Sequence, residues 1–193
     1  MKEEVLVFVF DGYADWESAF VCAELNASDT GHAVKTIAAN GDPKTSMGGF
    51  RVLPDYTLGN RPNDFALLIL PGGEAWLGHG NDAVLPLVEH AIGRRIPVGA
   101  ICNAASFLAQ HGYLDGIAHT GNTLSLMKQV APAYRGEAHF QERQAVCDAG
   151  IVTANGSAAL EFGREILALL EAKSQDDIAA WYHMNKQGFY PAD

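Results

Sequence analysis

The chain is poor in cysteine, in positive charge and in long apolar runs. Its three cysteines, Cys22, Cys102 and Cys147, are odd in number and never stand in a Cys-x-x-Cys pair. That spacing argues against a disulfide framework and suits a reducing compartment. Basic residues number 13 against 23 acidic, a net charge of −10, and no lysine/arginine cluster exceeds Arg94-Arg95. Nucleic-acid binding needs a basic footprint, so no nucleic-acid partner is expected. The negative charge aids solubility and names no substrate. No segment approaches the roughly 18 consecutive apolar residues of a membrane span, so no membrane partner is expected either. The opening Met1-Lys2-Glu3-Glu4 lacks the apolar core and cleavage site of a signal peptide, which makes the expected location cytoplasmic. No linker, internal repeat or low-complexity stretch divides the 193 residues. One domain over 1–193 is expected, with 173–193 as a C-terminal helical extension.

Against these absences stand several short, fully apolar runs. Val5 to Phe10, Phe65 to Leu70 and Pro97 to Ile101 have the composition of strands buried on both faces. Ala33 to Ala38 predicts a further strand, Thr45 to Leu53 a glycine-interrupted hairpin, and Ile117 to Thr120, Ala145 to Cys147 and Ile151 to Ala154 short strands. Helical spacing predicts helices over Asp15 to Asp29, Asn81 to Gly93, Ala104 to Gln110, Ala158 to Ala172 and Gln175 to Lys186. In the first, the apolar positions are Trp16, Ala19, Phe20, Ala23 and Ala27. Ser157 is the expected N-cap of the helix that follows it. The alternation predicts an α/β fold: a three-layer α/β/α sandwich around a mainly parallel, flavodoxin-like sheet. Ligands in such sheets bind beyond the carboxyl ends of the strands.

Three strand ends carry chemistry. Gly99-Ala100-Ile101-Cys102-Asn103 predicts a strand, a tight turn and a helix, with the thiol at the corner. That is the geometry of a nucleophile elbow, and the helix end favours the thiolate. Glu17, after the first strand, touches Cys102 if the two strands are neighbours; equally, acidic residues are favoured in a helix's first turn. Pro71-Gly72-Gly73 ends the middle strand, where the Gly73 N–H can join that of Asn103 as an oxyanion hole; a simple strand-ending turn explains the glycines as well. His119 is the histidine nearest the elbow by topology and the candidate general base. Trp76 is placed at the mouth of the site, or in the core like most aromatics. His119, His139 and Cys147 match no zinc spacing, so no metal and no cofactor is expected.

In order along the chain, Gly12-Tyr13-Ala14-Asp15-Trp16-Glu17, Leu70-Pro71-Gly72-Gly73, Gly99-Ala100-Ile101-Cys102 and Thr153-Ala154-Asn155-Gly156 form a combined pattern. With it the chain resembles the ThiJ/PfpI superfamily, of the class I glutamine amidotransferase-like fold. The resemblance runs to about Ala172. It implies that Cys102 is the elbow nucleophile, Glu17 its acidic partner, and Gly73 and Asn103 the oxyanion-hole amides, with Gly72 and Asn122 in the pocket. It further implies a homodimer and a small-molecule substrate. Members include glyoxalases and deglycases, amidase- or protease-like enzymes, isocyanide hydratases, chaperone-like proteins and redox sensors. Protease-like members carry histidine directly after the cysteine, and others carry one twenty residues on. Here those positions are Asn103 and Asn122. The departure weakens the protease and amidotransferase readings. It leaves a hydrolase, hydratase or glyoxalase/lyase acting on a small carbonyl, amide or isonitrile. The alternative is a redox-responsive or metabolite-binding protein on the same fold.

Overall fold

The computed structural model describes residues 2–189. Its strands are β1 (Glu3–Phe8), β2 (His32–Ala38), β3 (Lys44–Thr45), β4 (Arg51–Val52), β5 (Tyr56–Thr57), β6 (Leu67–Leu70), β7 (Val98–Ile101), β8 (Ala145–Asp148) and β9 (Ile151–Ala154). Its α-helices are α1 (Asp15–Leu25), α2 (Leu85–Gly93), α3 (Asn103–Gln110), α4 (Leu124–Val130), α5 (Ala159–Leu169) and α6 (Gln175–Gln187).

Seven strands form one sheet in the order β5-β2-β1-β6-β7-β9-β8. All neighbours are parallel except β8, which runs antiparallel to β9 at the edge. Strands β6 and β7, and β1 from Val5 onward, are apolar at every position because helices cover both faces. Val5 to Phe8, Leu67 to Leu70 and Val98 to Ile101 are all buried. Helices α1 and α5 pack on each other, with α6 outside α5; α2 lies against β6 and β7, and α3 against β7. The fold is thus the α/β sandwich expected from the alternation. No helix among the described residues is long and apolar enough to cross a membrane.

Three local expectations are corrected. Ile117 to Thr120 is not a strand: only His119 pairs, through an isolated bridge to Phe140. Ser157 does not cap α5; its hydroxyl turns back to Asn155 Oδ1 at 2.7 Å, and the cap position is Ala158. In α1 the buried face is Glu17, Ser18, Val21 and Leu25, while Trp16 and Phe20 are 50% and 40% exposed. The helical spacing of Trp16, Ala19, Phe20 and Ala23 therefore marks an outward apolar face. The inward side of α1 meets α5 and α6 instead, near Gly163 and Trp181. Helix α6 is tied down through Glu161, whose Oε1 accepts from the Tyr182 hydroxyl at 2.6 Å and from Lys186 Nζ at 2.9 Å.

Candidate active site

The site forms where β1, β6, β7 and β9 end together. Strands β1 and β7 are not neighbours, because β6 lies between them. What brings Glu17 to Cys102 is the end of β6. The Ala14 N–H donates to the Gly72 carbonyl at 2.9 Å, which seats the start of α1 against the Pro-Gly-Gly turn. The Gly72 N–H in return donates to Glu17 Oε2 at 2.6 Å. Glycine is required at 72, because a Cβ there would lie 2.5 Å from Glu17 Oε2 and 2.6 Å from Cys102 Cβ. Trp76 holds the turn from behind, donating from Nε1 to the Pro71 carbonyl at 2.9 Å. It is buried against Phe8, Phe10 and Phe107. Trp76 therefore belongs to the core and does not line the mouth of the site.

Cys102 stands between β7 and α3 at φ 62° and ψ −129°. Non-glycine residues rarely adopt such a backbone, which costs on the order of 1–3 kcal/mol and is found at functional corners. Its N–H extends the sheet ladder to the Ala154 carbonyl at 2.9 Å. Its side chain lies beside the Glu17 carboxyl, both bordering the space next to Gly72 and Gly156. Asn122 Nδ2 donates to Cys102 Sγ at 3.3 Å and lies 3.1 Å from Asn103 Oδ1. Asn122 is itself oriented by the Gly156 N–H, which donates to its Oδ1 at 2.9 Å. Gly156 also leaves room for the sulfur, since a Cβ there would sit 2.9 Å from Sγ. The Gly73 N–H has no acceptor among the described residues, whereas its carbonyl accepts from Asn103 Nδ2 at 3.2 Å.

Glu17 is 1% exposed. Burial raises its carboxyl to about 7, against smaller opposing effects of the Gly72 N–H and of Cys102. Burial also pushes the Cys102 thiol above its ordinary value; Asn122 pulls it down, and the Glu17 charge pushes it further up. The helix end alone therefore does not make a free thiolate, as the strand-turn-helix reading anticipated. The two groups instead share one negative charge near neutral pH. Of the two, the carboxyl ionises first, at about 7, while the thiol lies above its ordinary value. Cys22 is held at about 12 by burial, and Cys147 is also raised.

His119 does not serve the sulfur. It is fully buried, with Nδ1 at 2.8 Å from the Ile117 carbonyl and Nε2 at 2.6 Å from the Tyr134 hydroxyl. A carbonyl only accepts, so Nδ1 carries the proton and Nε2 accepts from Tyr134. Both nitrogens are committed, and burial lowers the histidine's pKa. Among the described residues no three His, Cys, Asp or Glu side chains gather as a metal site. The sequence reading missed two features. One is the closeness of Gly156 to the sulfur, since the pattern names the residue but not its contact. The other is a cavity of about 310 Å³ bounded by Asn122 and the 140–144 segment.

A parallel sheet, a strained cysteine at the head of a helix and a buried carboxyl against its sulfur define a nucleophile-elbow α/β protein. The chain belongs to the DJ-1/PfpI family, whose model matches residues 3–169. It is 38% identical to the uncharacterized protease YdeA of Bacillus subtilis over 97% of this chain and 93% of that one. It is 36% identical to the uncharacterized protease YoaZ of the same organism, over 95% of this chain and 90% of the relative. Among solved structures, a thiJ/pfpI family protein from Bacillus anthracis superposes with a TM-score of 0.90 at 37% identity, covering 97% of this chain and 92% of the other. The DJ-1 superfamily protein Atu0886 of Agrobacterium tumefaciens gives 0.85, also at 37% identity, over 94% of this chain and 96% of its own.

Proposed function

We propose that this chain is a cysteine-dependent enzyme of hydrolase, hydratase or lyase type, acting on a small electrophile through Cys102. The observation that carries the reading is Glu17, buried between the Gly72 amide and the Cys102 sulfur with its carboxyl raised to about 7. A base of that strength beside a thiol supplies what a histidine supplies elsewhere. With a carbonyl substrate, sulfur bonds to the carbonyl carbon while the thiol proton passes to Glu17. The carbonyl π pair moves onto oxygen, where the Gly73 N–H and the Asn103 N–H would serve as donors. Glu17 then returns its proton to the oxygen or to the leaving group. The name protease on the two Bacillus relatives agrees with bond cleavage as the reaction type. Asparagine at 103 and 122 favours a small activated substrate over a peptide bond.

The test is turnover across a panel of α-oxoaldehydes, amides and isonitriles. Cys102→Ala should abolish the activity found with the wild type while melting normally. Full activity in that variant would refute the mechanism.

We also propose a cytoplasmic homodimer. Trp16 and Phe20 on α1 and Met47, Phe50 and Leu53 around the β3–β4 hairpin are all large, apolar and exposed. The hairpin is fastened to the start of α1 by Ser46 Oγ donating to Asp15 Oδ2 at 2.6 Å. Such a concentration of exposed apolar side chains is typical of an interaction surface. Sedimentation should show a dimer that Phe50→Asp dissociates; a wild-type monomer would refute this.

A further inference from the structure

We infer that the cavity beside Asn122 receives a carboxylate-bearing end of the substrate, with Arg143 as the specificity-determining residue. The inference rests on the Cys102 reading above and deepens it. The cavity, about 310 Å³, is lined among others by Asn122, Thr123, Phe140, Glu142, Arg143 and Asn155. That volume is at the small end of metabolite sites.

One of these lining residues reaches the sulfur, and a second is the chain neighbour of a residue that borders it. Asn122 Nδ2 donates to Cys102 Sγ at 3.3 Å. Asn155 precedes Gly156, at which a Cβ would sit 2.9 Å from Sγ. The cavity therefore begins one side chain away from the nucleophile. A substrate whose reactive carbon lies at Cys102 would reach this space past the Asn122 side chain.

The lining is a fixed strap. The His119 N–H donates to the His139 carbonyl at 3.3 Å, and the Gln141 N–H to the His119 carbonyl at 2.8 Å. The Thr120 hydroxyl donates to the Arg143 carbonyl at 2.8 Å, and the Thr120 N–H to Thr153 Oγ1 at 2.8 Å. The Arg143 backbone is thereby tied to Thr120, just before β8, and its exposed side chain is part of the cavity lining. Its guanidinium makes no ion pair or hydrogen bond with any described residue. Arg94, Arg164, Lys128 and Lys173 are each paired with a carboxylate, whereas Arg51, Arg61 and Arg95 are, like Arg143, unpaired among the described residues; what sets Arg143 apart is that it lines this cavity. A guanidinium recognises carboxylate through two parallel donors. Glu142 lines the same space and repels a second negative charge, so the fitting ligand is a monoanion. Phe140 offers an apolar wall for the carbon chain between the two ends.

The test uses thiol reagents that differ only in the charged end. Cys102 alkylation is followed by peptide mass spectrometry with N-ethylmaleimide, maleimidopropionic acid and maleimidohexanoic acid at low salt. Each carboxylate-to-neutral rate ratio is divided by the same ratio for free glutathione. We expect at least one carboxylate reagent to be favoured by about threefold to fivefold, the worth of a partly exposed charge pair. Arg143→Gln should bring that preference to one, Arg143→Lys should keep part of it, and added salt should weaken it. A wild-type ratio equal to that of glutathione, or one that Arg143→Gln leaves unchanged, would overturn the inference while leaving Cys102 reactivity in place. Failure of N-ethylmaleimide itself to label Cys102 would overturn both this inference and the proposed function.

Discussion

Replacing Glu17 by glutamine should stabilise the protein above neutral pH and leave it nearly unchanged in acid. Glutamine has the shape of the protonated acid. Its oxygen can accept the Gly72 N–H that Glu17 Oε2 accepts at 2.6 Å, and its amide can donate to Cys102. In the wild type the folded carboxyl titrates at about 7 instead of 4.5 because it is buried. Ionising it inside the fold is therefore harder by about 3 kcal/mol, at 1.36 kcal/mol for each pH unit. A raised folded value means that the stability contributed by the neutral acid is complete below 4.5. It is lost as pH rises through about 7. Urea unfolding of both proteins between pH 5 and 8 measures this. Subtraction removes every other titrating group the two share. The variant should gain on the wild type by up to about 3 kcal/mol over that range, roughly 6–12 °C in melting temperature for a domain of this size. A difference that stays constant from pH 5 to 8 would refute the reasoning.

Gly72→Ala should destabilise by more than about 2 kcal/mol and slow Cys102 labelling, because the added carbon overlaps Glu17 and Cys102 in a site with no slack. Circular dichroism melting with mass-spectrometric labelling checks both, and a normal melt with normal labelling would contradict the close packing. His119, buried and neutral, titrates below its ordinary 6.5 in the fold, so its contribution is present above 6.5 and lost as pH falls. In the Glu17→Gln background, which removes the opposite trend, urea midpoints should fall between pH 7.5 and 5.5, and a flat profile would count against it. Tyr134→Phe removes the donor to Nε2 at 2.6 Å and should cost about 1–3 kcal/mol at pH 7.5.

The layers of this fold were legible in the sequence because buried parallel strands leave an unmistakable trace. Leu-Leu-Ile-Leu at 67–70 and the run from Val5 have no polar face to confuse them. The helix α1 was legible in extent but not in orientation. Its outward face carries Trp16 and Phe20, and its inward face carries Glu17 and Ser18. A rule that assigns apolar side chains to the core inverts such a helix. The residues of the site were nameable one by one, since Cys102, Gly72 and Gly73 stand at strand ends and Glu17 lies in the first turn of the helix after β1. Their arrangement was not. It depends on β6 standing between β1 and β7, which local patterns do not encode. The thiol's direction of shift was also hidden. A helix end lowers a thiol, but burial beside a carboxyl raises it, and only packing decides which effect wins. His119 looked available because its chain position is near the elbow. Tyr134 and the Ile117 carbonyl, which occupy its two nitrogens, become visible only in three dimensions.

The central claim is that Glu17 takes the proton from Cys102 as the sulfur reacts. The most direct measurement is the rate of Cys102 alkylation by iodoacetamide against pH, in the wild type and in Glu17→Gln. The account predicts a wild-type rate that climbs with a break near 7, where the carboxyl ionises, and a variant that lacks this break. A single break at or above the ordinary thiol value of about 8.5 in both proteins would contradict it.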